Sequence, residues 1–177
     1  MSTLAKNQEN DWIIVSELQE EDKEIACRVL IESYQQYEKE YSDPLIWQEY
    51  LANIETSFDN PHVDKILVAK SRKEVLGTLQ LFQSSEKAYG KPELEIFSPI
   101  IRLLGVHPKA RGRGVARALL QSSIKYAKEQ RFHHLYLHSS DKMYKAIQLY
   151  EWLGFKRDLS KEFFNHDILV KCYRLDL

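Results

Sequence analysis

The fold of this chain is decided by the stretch Val106-His107-Pro108-Lys109-Ala110-Arg111-Gly112-Arg113-Gly114-Val115-Ala116. It lies between the most strand-like segment, Ile100 to Val106, and an amphipathic helix expected between about Gly112 and Gln130. Its glycines let the backbone curl closely around an anion, and the first amides of the helix have no partners inside that helix. The stretch therefore predicts a phosphate-binding turn, with added positive charge from Lys109, Arg111, Arg113 and Arg117. It matches neither the nucleotide P-loop nor GxGxxG.

Before this turn, the sequence predicts a strand, two helices and a β-hairpin. The strand is Ile13 to Leu18, and apolar residues at three- and four-residue spacing between Ile25 and Tyr37 indicate the first helix. Asp43 as cap and Pro44 at the first helical position begin a second helix that runs to Ser57. The hairpin comprises Ile66 to Ala69 and Val75 to Phe82. The polar stretch from Ser84 to Pro92 is expected to connect it to a strand within Leu94 to Val106, which Pro99 interrupts.

After the turn, helices and strands continue to alternate. Leu135 and Leu137 indicate a short strand, and Met143 to Leu153 indicates a helix that ends at Gly154. Two closing strands are expected around Phe155 to Arg157 and Ile168 to Leu175. This order predicts an α/β fold with a mixed sheet and helices on its faces.

Composition is typical of an ordinary globular domain. The 177 residues contain 25 Lys and Arg against 26 Asp and Glu, so no global field favours nucleic acid or an anionic membrane. No apolar run is long enough to span a bilayer, and residues 1–10 lack the apolar core of a secretory signal. We expect a flexible N-terminus over residues 1–10, one domain over residues 11–177, a cytoplasmic location, and reduced packing roles for Cys27 and Cys172.

At the turn, the chain resembles the GNAT N-acetyltransferase superfamily. Its pyrophosphate motif, Arg/Gln-x-x-Gly-x-Gly/Ala, is matched by Arg111-Gly112-Arg113-Gly114-Val115-Ala116, after the family-like Leu103-Leu104-Gly105-Val106-His107-Pro108. A second block, Met143 to Phe155, is similar to the pattern Ala-x-x-Leu-Tyr-x-x-x-Gly-Phe, and Tyr173-Arg174-Leu175 resembles the terminal strand. The resemblance implies a GNAT-like mixed β-sheet of about six to seven strands, flanked by about four helices, with a splayed central strand pair.

The same resemblance implies acetyl-CoA as co-substrate. Its pyrophosphate would bind the amides of Arg111 to Ala116 (Arg111, Gly112, Arg113, Gly114, Val115 and Ala116), and its pantetheine would extend along Leu104, Gly105 and Val106. Gly105 would then mark a bulge or a close backbone approach. The Val106 amide would stabilise the oxyanion, and Tyr150 would be the general acid. Met143 replaces a family Asn, so its contact with CoA is hydrophobic or absent.

The general base is left open by the sequence. Many relatives carry a carboxylate where this chain has Ile100. Glu95, with Glu93 beside it, could act through a water, His138 has an ordinary pKa near neutrality, and water alone could accept the proton. No metal is expected, because His134 and His138 would lie about 13 Å apart along a strand.

These features favour an N-acetyltransferase that acts on a primary amine of a small molecule or protein, by direct attack in a ternary complex. One alternative is a non-catalytic acyl-CoA-binding module, and another is an interaction protein whose turn meets a different phosphate. Aromatic residues that could wall an acceptor pocket are Tyr34, Tyr37, Tyr41, Trp47, Phe82 and Tyr89, and a cationic amine would favour them together with Glu38, Glu40 or Glu95. A homodimer is possible, as relatives often dimerise.

Overall fold

A computed structural model describes residues 12–177, in which eight strands and five α-helices form one layered arrangement. The expected flexible segment, residues 1–10, lies outside the described residues. The strands are β1 (Ile13–Glu17), β2 (Lys65–Ser71), β3 (Glu74–Phe82), β4 (Ile100–Val106), β5 (His134–Ser139), β6 (Lys156–Arg157), β7 (Phe163–Asn165) and β8 (Ile168–Asp176). The helices are α1 (Lys23–Tyr34), α2 (Pro44–Ser57), α3 (Ser85–Tyr89), α4 (Val115–Glu129) and α5 (Tyr144–Trp152).

The strands form a sheet in the order β1-β2-β3-β4-β5-β8-β6, with β7 paired to β8. Most pairs are antiparallel, but β4 and β5 are parallel and are paired at Ile100 with Tyr136 and at Ile101 with Leu137. No further β4–β5 pair forms within the described residues, so the two strands diverge from Arg102 onwards. The mixed sheet and its splayed central pair are thus confirmed, with one more strand and one more helix than expected.

A β-bulge lies on β4 at Leu103 and Leu104. Thr78 pairs with Gly105 and Gln80 with Arg102, so β4 contains one residue more than β3 across this interval, and Leu103 takes a left-handed φ of 53°. Gly105 itself permits close approach, because an added Cβ would meet Leu30 Cδ1 at 2.7 Å and would collide with Ser33 Oγ. Gly105 therefore meets both expectations, because it directly follows the bulge and because its missing side chain lets α1 lie directly against β4.

Helices cover both faces of the sheet. On one face, α4 and α5 pack on β-strand residues such as Leu79, Ile101 and Leu137, all at most 2 % exposed. On the other face, α1 and α2 enclose a cluster around Leu30 and Ile54. Between the helical layers, the diverging ends of β4 and β5 leave a wedge beyond Ile101 and Leu137.

Local signals explain where most elements begin and end. The Asp43 side chain accepts a hydrogen bond from the Leu45 amide at 2.9 Å, which caps α2 as predicted. The stretch from Ser84 to Pro92, expected as a connection, contains α3, which Ser84 caps and Gly90 ends at φ 65°. The central strand begins at Ile100, directly after Pro99, rather than at Leu94. Among residues 12–177, no helix is both long and apolar enough to cross a membrane.

Candidate active site

The predicted turn curls immediately before α4. Gly112 and Gly114 adopt φ values of 79° and 81°, which a residue with a side chain adopts only with strain, and α4 begins at Val115. The amides of Val115, Ala116 and Arg117 belong to the first helical turn and so have no acceptor within α4. They form, with the dipole of a 15-residue helix, a place where a phosphate is stabilised.

The segment that leads into this turn is fixed to α1. His107 Nδ1 accepts a hydrogen bond from the Lys109 amide at 3.1 Å, and Nε2 lies 2.9 Å from a carboxylate oxygen of Glu32. This arrangement requires a proton on Nε2, which His107 donates to Glu32. The Arg111 guanidinium donates to the Ser33 carbonyl at 3.2 Å. The turn is therefore positioned by two side-chain contacts to the same helix.

The end of β4 presents a free edge to the wedge. The His107 amide donates to the Leu76 carbonyl at 2.8 Å and therefore points toward β3. Because successive amides of a strand point to opposite sides, the Val106 amide points away from β3, toward the side where β5 has diverged. Leu104, Gly105 and Val106 thus lie along an open strand edge that continues into the turn.

Tyr150 lies on α5, within the buried core cluster that packs on one face of the sheet. It is 6 % exposed and its ring contacts Phe155 and Tyr173. Burial, with a smaller effect from Tyr37, raises the pKa of Tyr150 above its ordinary value, so the phenol is protonated at neutral pH. Tyr150 in turn contributes to the raised pKa of Tyr34, a residue that lines the adjoining cavity. The Tyr150 hydroxyl is therefore a neutral hydrogen-bond donor at neutral pH and is not a base.

A cavity of about 230 Å³ occupies the open end of the wedge. Met143 and Leu103 line it, as do Arg102, His138 and Ser139, and its aromatic lining residues are Tyr34, Tyr41, Tyr50, Tyr89 and Phe163. A second cavity of about 720 Å³ adjoins it and shares Arg102, Tyr50 and Tyr89, with Phe82 added. Four of the six aromatic residues expected to wall an acceptor pocket therefore line these cavities, while Tyr37 and Trp47 do not.

Several lining residues were not predicted from the sequence, among them Arg102, Tyr50 and Phe163. Arg102 lies in an apolar strand, and this isolated charge between Ile101 and Leu103 was the available signal. Tyr50 lies on α2, where helical spacing fits a core role equally well. Phe163 belongs to the three-residue strand β7, which is too short to show a period.

His138 has both ring nitrogens engaged. Nδ1 lies 3.0 Å from the Tyr89 hydroxyl and Nε2 lies 3.0 Å from the Lys161 carbonyl, so Nε2 carries the proton and Tyr89 donates to Nδ1. Burial lowers the pKa of His138 to about 4. The neutral ring is therefore a structural link between α3 and β5, and it is poorly suited to accept a proton from a substrate.

Glu95 is not brought to the cavities. It follows the short helical turn Pro92–Leu94 at a left-handed φ of 52°, its side chain is exposed, and it is absent from the lining of both cavities. Ile100 is fully buried. The structure thus gives Glu95 no contact with the open edge of β4. Across the described part of the chain, no group of three or more His, Cys, Asp or Glu side chains could hold a metal.

Comparisons with known proteins agree with this geometry. A model of the acetyltransferase (GNAT) family matches residues 18–155. N-acetyltransferase family 8 member 2 of Rattus norvegicus is 31% identical over 110 residues, which cover 62% of this chain and 46% of that protein. N-acetyltransferase 8F1 of Mus musculus is 29% identical over 119 residues, covering 63% and 51%. The chain spans about half the length of these curated relatives.

Solved structures share the fold. PaiA N-acetyltransferase of Thermoplasma acidophilum, crystallised with coenzyme A, has a TM-score of 0.64 at 18% identity and covers 91% of this chain and 98% of its own. A GNAT acetyltransferase of Staphylococcus aureus has a TM-score of 0.65 at 23% identity, covering 94% and 99%. From the family match over residues 18–155, this chain belongs to the acetyltransferase (GNAT) family.

Proposed function

We propose that the chain transfers the acetyl group of acetyl-CoA to a primary amine by direct attack in a ternary complex. The observation that carries this proposal is the free edge of β4, which runs from Leu104 to Val106 and leads into the amide-lined turn before α4. A strand edge offers hydrogen bonds to an extended amide-containing chain, and a helix N-terminus offers them to phosphate. Pantetheine and pyrophosphate are joined in this order in coenzyme A.

The residues of the turn fit the charge of that co-substrate. Lys109, Arg111 and Arg113 surround the turn, and the Arg117 guanidinium lies 4.6 Å above the Trp152 ring, which holds its charge near the start of α4. Gly112 and Gly114 present no side chain toward the anion. We therefore assign pyrophosphate to Arg111 through Ala116 and pantetheine to Leu104 through Val106, with Met143 as an apolar contact in the wedge.

Acetyl-CoA supplies an acyl group on a thiolate leaving group. When the amine nitrogen bonds to the acyl carbon, negative charge grows on the acyl oxygen, and the Val106 amide points to the side where that oxygen would lie. As the carbon–sulfur bond breaks, Tyr150 donates its proton to the sulfur. The amine must release one proton in exchange, and Tyr150 regains one, so the overall proton balance is zero.

We assign the amine's proton to water in the cavity. Glu95 is exposed outside the cavities, and the neutral His138 ring is fully hydrogen bonded. Catalysis without a dedicated base predicts that activity rises with pH as the free amine becomes more abundant, up to the pKa of the acceptor itself.

The test is CoA release from acetyl-CoA with a panel of primary amines, in the native chain and in Tyr150→Phe. Loss of a positioned acid should lower kcat by about 10²- to 10⁴-fold while the dissociation constant for CoA changes little. Tyr144→Phe is the matched control, since Tyr144 is exposed at the start of α5. If acetyl-CoA binds and no amine gives turnover, the chain is an acyl-CoA-binding module instead.

A further inference from the structure

We propose that Arg102 binds a carboxylate of the acceptor, so that the acceptor is an amine that also carries a carboxylate, such as an amino acid. This inference rests on the proposed acetyl transfer for the identity of the bound molecule as acceptor. Arg102 lines both cavities at the point where β4 and β5 diverge. It lies on the central strand β4, whereas Lys91, the lysine in the lining of the larger cavity, lies in a connecting segment.

The Arg102 side chain is held in place without a carboxylate. One guanidinium nitrogen donates to the Ala88 carbonyl at 2.5 Å, and the guanidinium carbon lies 4.6 Å from the centre of the Tyr89 ring and 5.6 Å from that of Phe82. Among the described residues it forms no ion pair with Asp or Glu. A guanidinium carries five N–H donors, so donors remain for a bound anion, and a planar carboxylate matches their geometry.

The charges around Arg102 favour an anion as well. The carboxylates that line the two cavities are Glu49, which is exposed on α2, and Asp59, which is paired with Lys23 at 2.5 Å.

A purely cationic amine would be repelled by the positive charge of Arg102. The residues expected to attract one, Glu38, Glu40 and Glu95, are absent from the lining of both cavities. The field at the inner end of the cavities is therefore suited to an acceptor whose own carboxylate offsets the charge of Arg102.

Two buried polar atoms give an independent sign of a ligand. Gln80, which pairs with Arg102 across the sheet, is fully buried. Its Nε2 donates to Ser57 Oγ at 2.9 Å, while its Oε1 has no hydrogen-bond partner within residues 12–177. Ser139 Oγ, on the β5 side of the wedge, is likewise without a partner among the described residues. Such atoms are costly unless satisfied, and both residues line the cavities. The Ser139 hydroxyl can donate to a carboxylate and Gln80 Oε1 can accept from an N–H group, so a molecule that carries both an anion and an N–H donor can satisfy them.

Binding to the CoA-loaded protein tests this without requiring turnover. Phenylalanine, leucine and asparagine would each be compared with the matching α-carboxamide by calorimetry at saturating CoA. We expect at least one of the acids to bind about 10- to 100-fold more tightly than its amide, as for hydrogen bonds to a charged group. Arg102→Gln should reduce that preference to about threefold or less while CoA affinity is retained.

Two further variants control for a general loss of positive charge and for misfolding. Lys91→Gln removes one positive charge from the lining of the larger cavity and should keep the preference for the acid. If Arg102→Gln fails to fold, as shown by loss of CoA binding, Arg102→Met replaces it, because Met keeps an apolar stem against Tyr89. The proposal is overturned if no acid binds more tightly than its amide, or if the variant without Arg102 keeps the preference.

Turnover separates this inference from the proposed function. Equal acetylation of acids and amides would leave acetyl transfer standing and remove the role of Arg102. Selective binding of acids without any acetylation would leave a carboxylate site at Arg102 standing but would remove acetyl transfer, and with it the role of the bound molecule as acceptor.

Discussion

Replacing Gly112 and Gly114 by Ala should weaken CoA binding through backbone strain alone. Their φ values are 79° and 81°, and an added Cβ would find no atom within 4 Å at either position. Steric clash is therefore excluded, and the remaining penalty is that of an L-residue in the left-handed region, about 1–2 kcal/mol per position. Both glycines are exposed, so each variant turn can relax in the free protein.

The ligand must then restore the strained conformation at the expense of its own binding free energy. We expect CoA affinity to fall about 5- to 30-fold for each single variant and about 30- to 1,000-fold for the double variant, measured by calorimetry. Thermal unfolding should change little, because neither residue packs in the core.

Gly90→Ala is the matched control. Gly90 has a φ of 65° and nothing within 4 Å of an added Cβ, but it ends α3 rather than preceding α4. It carries the same kind of strain and should leave CoA affinity unchanged. Unaltered affinity in the double variant, or an equal loss in Gly90→Ala, would refute the assignment of the pyrophosphate site.

Three other variants test the supports of the site. His107→Ala removes the acceptor of the Lys109 amide and the contact to Glu32, and should weaken CoA binding by roughly 1 kcal/mol, about fivefold, in the same calorimetric assay; unchanged affinity would mean that the turn holds itself. Gly105→Ala should destabilise the fold by about 1–3 kcal/mol in urea unfolding because its Cβ meets Leu30 and Ser33, and adding Ser33→Ala should restore part of that loss. For His138, burial lowers the pKa to about 4, so the unfolded chain binds its proton first as pH falls. Its contribution to stability is present above pH 6.5 and declines by up to about 1.4 kcal/mol per pH unit down to about pH 4, and His138→Gln should lose this part of the slope.

Much of the architecture follows from short-range signals. Asp43 and Pro44 begin α2, Gly154 follows α5 at a φ of 101°, and the hairpin of β2 and β3 is visible in the apolar, β-branched run on each side of its turn. Gly112 and Gly114 likewise indicate their turn directly, because the ability to adopt a positive φ without strain is a property of glycine itself. These features depend on neighbours a few positions away, so a single sequence contains them.

The acceptor side of the site depends on contacts between distant segments. The bulge is at Leu103, which has no local preference for a left-handed φ, and it forms where α1 packs against Gly105. Glu95 looked available in the sequence, yet the turn after Pro92 leaves it exposed outside the cavities.

By itself, the sequence determined the helices α1, α2, α4 and α5, the hairpin, the amide-lined turn and the resemblance to the acetyltransferases, since each depends on residue preferences and spacing along the chain. Only the tertiary structure decided that Arg102, Gln80 and Ser139 line joined cavities, that His138 is fully hydrogen bonded, and that the Val106 amide points to a free edge. The physical reason is that the divergence of two parallel strands brings together side chains from β3, β4, β5, α2 and α3, and no local pattern records which of them will meet.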